Sequence, residues 1–255
     1  MDAQVGLCSV TFRSLPAAEV VRLSAAAGLD CIEWGADVHA PASDREALAE
    51  VRDRTADAGL RVASYGAYWR AAVHPVEELR PVLAAAETLG APRVRVWAGE
   101  LGSDVATAET WRRVVEDTRA AGALAQDRGL SLGLEFHGRT LTDTPESTLR
   151  LLDLVDHPAV VPYWQPRLDD PPATALEGLR SMVDRVAAAH VFSWWPGDHR
   201  LALADREDLW RPVLAQLLDQ HPGIDLLLEF VPGDDPRLLV REAETLRRWV
   251  AEATP

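Results

Sequence analysis

The chain contains no lysine. Its 26 basic residues are all arginine, set against 40 acidic residues for a net charge of −14. The arginines are spread singly along helical stretches, which excludes the clustered positive footprint of a phosphate-backbone binder. Nucleic acid is therefore not an expected partner. Cysteine is scarce: Cys8 and Cys31 fall in adjacent strand-like runs. Two are too few for a disulfide framework, and free buried thiols are expected. There is no apolar run of about 18 residues or more, so no membrane span is expected. The start, Met1-Asp2-Ala3-Gln4, is acidic and lacks the basic-then-apolar order of a secretory signal, which points to a cytoplasmic protein. A Gly- or Ser-rich linker and a GxGxxG turn are both missing as well.

What the chain does contain is an alternation. Apolar runs of strand length are expected at 5–12, 31–35, 61–65, 93–98, 131–137, 160–165, 187–193 and 225–231. Segments of helical period begin near Pro16, Ser43, Pro75, Thr107, Pro145, Pro172, Asp205 and Pro236. Proline in a first helical turn loses no needed hydrogen bond. Glycine closes several helices, as in Ala27-Gly28-Leu29 and Arg128-Gly129-Leu130. Eight such units without a dinucleotide turn predict a closed (β/α)8 TIM barrel, an α/β fold, occupying 1–255 as one domain. An open α/β sheet with a miscounted strand is the alternative.

Two segments nearly repeat each other: Gly133-Leu134-Glu135-Phe136-His137 and Leu227-Leu228-Glu229-Phe230-Val231. Each ends a strand-like run with a glutamate, a costly group to bury unless it is paired, protonated or bound to metal. Strand alternation turns Leu134, Phe136, Leu228 and Phe230 toward the helices, and Glu135 and Glu229 into the barrel. Gln165 and His190 end the two runs between them. Four donors at four successive strand ends point to a metal site at the C-terminal mouth, where active sites of this fold lie. Glutamates in buried salt bridges are the plainer reading.

The same alternation brings Glu33 and Arg95 inside, where they are expected to pair. Nine tryptophans are many for 255 residues. Trp34, Trp69, Trp97, Trp164, Trp194 and Trp195 fall at or just past strand ends, and together suggest an aromatic-walled pocket for the C–H faces of a sugar. For any one of them, packing under a loop is the simpler role. His137 and Arg200 are candidate substrate contacts, and His39 is expected as a solvated loop residue. The lack of lysine and the few arginines expected at the mouth disfavour a phosphorylated substrate. Short βα loops leave the mouth open unless a second subunit covers it, which is compatible with a homodimer.

The chain resembles the xylose-isomerase-like TIM barrels, broadly the sugar phosphate isomerases and epimerases. The likeness runs from Gly6-Leu7-Cys8-Ser9 and Gly28-Leu29-Asp30-Cys31-Ile32-Glu33, through Leu134-Glu135-Phe136-His137 and Ala189-His190-Val191-Phe192, to Leu228-Glu229-Phe230. It implies one divalent ion, Mn²⁺ first and Mg²⁺, Co²⁺ or Zn²⁺ as alternatives, held by Glu135, Gln165, His190 and Glu229. Glu135 and Glu229 would also be the catalytic pair, moving a proton next to a carbonyl through an ene-diolate on a carbohydrate substrate. At 165 the family usually has Asp; a neutral glutamine leaves two carboxylate ligands instead of three, and Asp169 or Asp170 are alternative ligands. After His190 relatives often have Lys and Asp, where this chain has Phe192-Ser193-Trp194-Trp195. Two other activities therefore stay open: elimination on a keto-sugar or glycoside, and a catalytically weakened barrel that binds sugar or serves as a partner subunit.

Overall fold

Short runs that are apolar toward the helices, each followed by an amphipathic helix, bury both sheet faces either between two helix layers or by closing on themselves. The computed structural model describes residues 2–253, so Met1, Thr254 and Pro255 of the expected domain lie outside the described residues. Its strands are β1 Gln4–Cys8, β2 Cys31–Gly35, β3 Arg61–Arg70 and β4 Arg93–Trp97. They continue with β5 Ser131–Leu134, β6 Val160–Trp164, β7 Ala188–Val191 and β8 Asp225–Leu228. All pair in parallel and in chain order, and β8 returns to β1 through Gln4–Asp225 and Leu7–Leu228. The expected (β/α)8 barrel is the observed fold.

The helices are α1 Ala17–Ala26, α2 Arg45–Asp57, α3 Leu79–Leu89 and α4 Ala108–Gln126. After them come α5 Pro145–Val155, α6 Pro172–Met182, α7 Glu207–Gln220 and α8 Leu239–Ala253. Side chains of Asp44, Thr107 and Thr144 accept from backbone N–H groups in the first turns of α2, α4 and α5, the local signal that starts each helix. The larger core lies between strands and helices; a smaller one of Cys8, Cys31, Ala63, Tyr163, Ala188 and Leu227 fills the barrel itself. At the N-terminal end Asp225 accepts from both Arg61 and Arg93, which closes the floor.

The ends of several strands differ from the sequence expectation. The first stops at Cys8, and Ser9–Phe12 forms a 3-10 turn because Ser9 Oγ is recruited by the N–H of Gly35 at 2.9 Å. The third runs on to Arg70. The fifth, sixth and eighth stop at Leu134, Trp164 and Leu228, so Glu135, Gln165 and Glu229 each stand one residue beyond a strand. Past Glu229 the chain turns sharply: Phe230 adopts φ 58°, with its N–H donated to Thr11 Oγ1 at 3.0 Å. Phe230, expected to face the helices, is thereby turned toward the barrel mouth; a left-handed phenylalanine costs about 1–2 kcal/mol, and no periodicity announces it.

Candidate active site

Inward side chains of alternate strands share layers, so Glu33 of β2 meets Arg95 of β4, and His190 of β7 and Cys8 of β1 join them just below the mouth. Arg95 lies 3.1 Å from Glu33 Oε1 through Nη2 and 2.9 Å from Glu135 Oε2 through Nη1, all three side chains being almost fully buried. The expected Glu33–Arg95 pair is thus present, and Arg95 extends it to Glu135. Ser64 donates to Glu33 Oε2 at 2.6 Å, and Trp97 Nε1 donates to Glu135 Oε2 at 2.6 Å. Gly66 makes room for this: a Cβ there would stand 2.6 Å from Arg95 Nη2 and 3.0 Å from Glu33 Oε1.

His190 connects this ion-pair network to the mouth. Its Nδ1 is 2.9 Å from Gln165 Oε1 and 3.6 Å from Glu229 Oε2, while Nε2 faces Glu33 Oε1 at 3.6 Å. Nε2 is buried without a hydrogen-bond partner among the described residues. Burial alone would lower the His190 pKa, but the Glu229 and Glu33 carboxylates outweigh it and push it up to about 9. Burial, reinforced by Glu135, raises Glu229 against the opposing pull of His190 and Arg95. For Glu135 burial also acts upward, yet Arg95, with His190 and His137, holds the carboxyl below the usual carboxylate range.

The donor chemistry fits a cation. A neutral imidazole that turns Nε2–H toward Glu33 presents a bare lone pair at Nδ1, facing two further oxygen acceptors. A proton or a positive ion makes that grouping favourable, and a carboxylate behind the second ring nitrogen is how metal-ligating histidines are commonly oriented. After β6, Gln165 reaches His190 Nδ1 with its side-chain oxygen, while Tyr163 of β6 meets the His190 ring edge-on. Asp169, the alternative ligand, instead accepts from the N–H of Gly197 at 2.7 Å, and Asp170 lines an adjoining cavity with Trp164, Gln165 and residues of α6. Glu135 touches Arg95 and Trp97 through Oε2, and Oε1 has no protein hydrogen bond among the described residues.

Above these groups opens a cavity of about 580 Å³ whose walls include Tyr68, Trp97, His137, Phe192, Trp194 and Phe230, with Arg95, Glu135, Gln165 and Glu229 at its base. Of the expected tryptophans, the structure brings Trp97 and Trp194 to this cavity. Trp34, Trp69 and Trp164 are corrected: all three point outward from the barrel and are buried. Trp34 meets His39 edge-on, Trp69 donates to the Pro75 carbonyl at 3.0 Å, and Trp164 packs on Trp210 of α7. Trp195 is 36% exposed beneath the Arg206 guanidinium. His137 lines the cavity beside Trp97, its Nδ1 sharing a 2.7 Å hydrogen bond with the Gly138 carbonyl. Arg200 pairs with Asp234 and lies over the Phe230 and Trp194 rings, bracing the wall from behind.

Two further expectations are revised. His39 is buried between Ser9 Oγ and the Leu15 carbonyl, not solvated. The mouth is also not poor in arginine: Arg13, Arg139 and Arg167 line it. Tyr68, Arg139 and Arg167 are not legible in the sequence, because β3 runs past the apolar stretch that marks it, to Arg70, and the loops after β5 and β6 carry no periodic signal.

The family profile of the xylose isomerase-like TIM barrels matches residues 21–167, more than half of the chain. The chain belongs to this family. Among solved structures, a xylose isomerase-like TIM barrel protein from Mycobacterium smegmatis in complex with magnesium aligns at 17% identity and TM-score 0.78, covering 99% of this chain and 98% of that one. An L-ribulose 3-epimerase aligns at 17% identity and TM-score 0.76, with coverage of 98% and 95%. The probable 3-DHS dehydratase AsbF from Bacillus anthracis aligns at 17% identity and TM-score 0.73, with coverage of 96% and 98%. At such identities the likeness is one of fold. No curated protein sequence matches the chain significantly. Among the described residues no helix is long and apolar enough to cross a membrane.

Proposed function

We propose that this protein is a divalent-metal-dependent isomerase or epimerase of a sugar or sugar derivative, acting by proton abstraction next to a carbonyl. The observation that carries the reading is the joint opening of Glu135 and Glu229, on β5 and β8 ends, into one aromatic-walled cavity. Two carboxylates reaching the same carbon from different sides are what proton removal and return require. Membership of the family, and the epimerase among its structural neighbours, support the same chemistry.

Gln165 Oε1, His190 Nδ1 and Glu229 Oε2, with Oε1 of Glu135, would hold the ion; Mn²⁺, Mg²⁺, Co²⁺ and Zn²⁺ all accept such oxygen and nitrogen donors. When bound it would supply electrophilic stabilisation of the negative charge that develops on the substrate oxygens. Arg95 and Trp97 fix Oε2 of Glu135 and thereby aim its other oxygen. Trp97, Trp194, Phe192 and Phe230 offer flat faces to the substrate carbons and limit access of water. His137 stands where a hydroxyl would meet a ring nitrogen.

Metal analysis of protein purified without chelator, followed by solvent deuterium exchange into a panel of ketoses, tests this reading. Bound metal and exchange are expected. Glu229→Gln should abolish exchange with the circular dichroism unchanged, and surviving exchange removes Glu229 as the proton carrier. The aromatic walls also favour a second reading, elimination on a keto-glycoside, for which aglycone release without deuterium exchange into ketoses is the distinguishing result.

A further inference from the structure

Cys8 enters the barrel from β1, opposite Glu33 of β2 and one residue beyond the Leu7–Leu228 pair that sets it beside Glu229. Its Sγ, a ring nitrogen of His190 and a carboxylate oxygen of Glu229 lie within 4.8 Å of one another, and all three residues are buried. Among the described residues the thiol makes a single, long hydrogen bond, 3.9 Å to Glu33 Oε1. His190 Nε2, fully buried, faces Glu33 Oε1 at 3.6 Å without a hydrogen-bond partner among the described residues. Donors therefore follow one another without a gap around five neighbouring strands: Glu135 after β5, Gln165 after β6, His190 on β7, Glu229 after β8 and Cys8 ending β1.

We propose that Cys8 is a thiolate ligand of the ion held at this site, and that it gives the site a preference for Zn²⁺ and Co²⁺ over Mg²⁺ and Mn²⁺. The inference rests on the metal-dependent reading above and deepens it. Gln165 contributes a neutral oxygen, so the oxygen and nitrogen donors include two anions; a sulfur anion beside Glu229 supplies a third. Softer sulfur favours the borderline ions, whereas Mg²⁺ and Mn²⁺ take oxygen. On coordination the S–H bond breaks, the proton leaves to solvent and a sulfur–metal bond forms, with no change of oxidation state.

Loading the full chain with Co²⁺ gives a direct readout. Wild type and Cys31→Ala should show a near-ultraviolet sulfur-to-cobalt charge-transfer band that Cys8→Ala lacks. Cys8→Ala should also weaken Zn²⁺ binding about ten-fold or more and Mg²⁺ binding less than about two-fold. Should the alanine variant fail to fold, Cys8→Ser, which keeps the volume, carries the same spectroscopic comparison. Bound cobalt without the band, a band that survives loss of Cys8, or equal weakening of both ions overturns the proposal while leaving a metal enzyme in place. Failure to bind any cobalt removes both.

Discussion

The Arg95 guanidinium stands 2.9 Å from the Glu135 carboxylate, with both side chains almost wholly shielded from water. The same cation faces Glu33, so its removal takes the arginine partner from two buried carboxylates and leaves Glu33 with Ser64 and His190, and Glu135 with Trp97. Arg95→Met should therefore destabilise the fold by about 3–5 kcal/mol, the range for breaking a buried pair from one side. Urea unfolding followed by circular dichroism measures it, and a loss below about 1 kcal/mol contradicts the role given to Arg95.

Gly66→Ala should act through Arg95. The added Cβ would crowd Nη2 at 2.6 Å and Glu33 Oε1 at 3.0 Å, an overpacking expected to cost about 1–3 kcal/mol. If the crowded partner is Arg95, the double variant with Arg95→Met is destabilised by less than the sum of the two single changes. Strict additivity in the unfolding free energies would count against it.

Gln165→Asp should tighten divalent-ion binding about ten-fold by adding a carboxylate beside His190 and Glu229. A fluorescence or calorimetric metal titration reads this directly. Unchanged affinity would take residue 165 out of the ligand set.

The tryptophans divide into two groups with separable effects. Trp97→Phe and Trp194→Phe should raise KM, and Trp97→Phe should lower kcat as well, since it removes the 2.6 Å donor to Glu135. Trp34→Phe and Trp164→Phe should lower Tm with KM unchanged, because both rings are buried on the helix side of the barrel. A KM effect from Trp34 or Trp164 would put the pocket in the wrong place.

Neither thiol should react with a disulfide reagent in the native state. Both are fully buried, and burial together with Asp225 pushes Cys31 up to about 12. Thiol titration with and without denaturant checks this: two thiols per chain are expected only after unfolding. Fast native labelling would mean that the barrel interior opens.

The barrel was legible in the sequence because alternation between strand and helix periods survives along the whole chain, and so does side-chain parity within each strand. Parity placed Glu135, Glu229, Glu33 and Arg95 inside. It also separates the tryptophans: Trp34 follows inward Glu33 and so must face out, as must Trp164 before inward Gln165. Reading tryptophans by nearness to a strand end, without parity, is what put Trp34, Trp69 and Trp164 in the pocket. Arg95 reaching Glu135 as well as Glu33 was not legible, because side-chain length and the space above Gly66 decide it. Nor was the turn after Glu229, which depends on one left-handed residue and on Thr11, 219 residues away in the chain.

Gly66 and Arg95 also constrain how this barrel can change over time. A side chain at 66 and a guanidinium at 95 compete for one space, since a Cβ at 66 would stand 2.6 Å from Arg95 Nη2. Substitutions at the two positions are therefore not independent, and a larger residue at 66 costs less once the side chain at 95 is shortened.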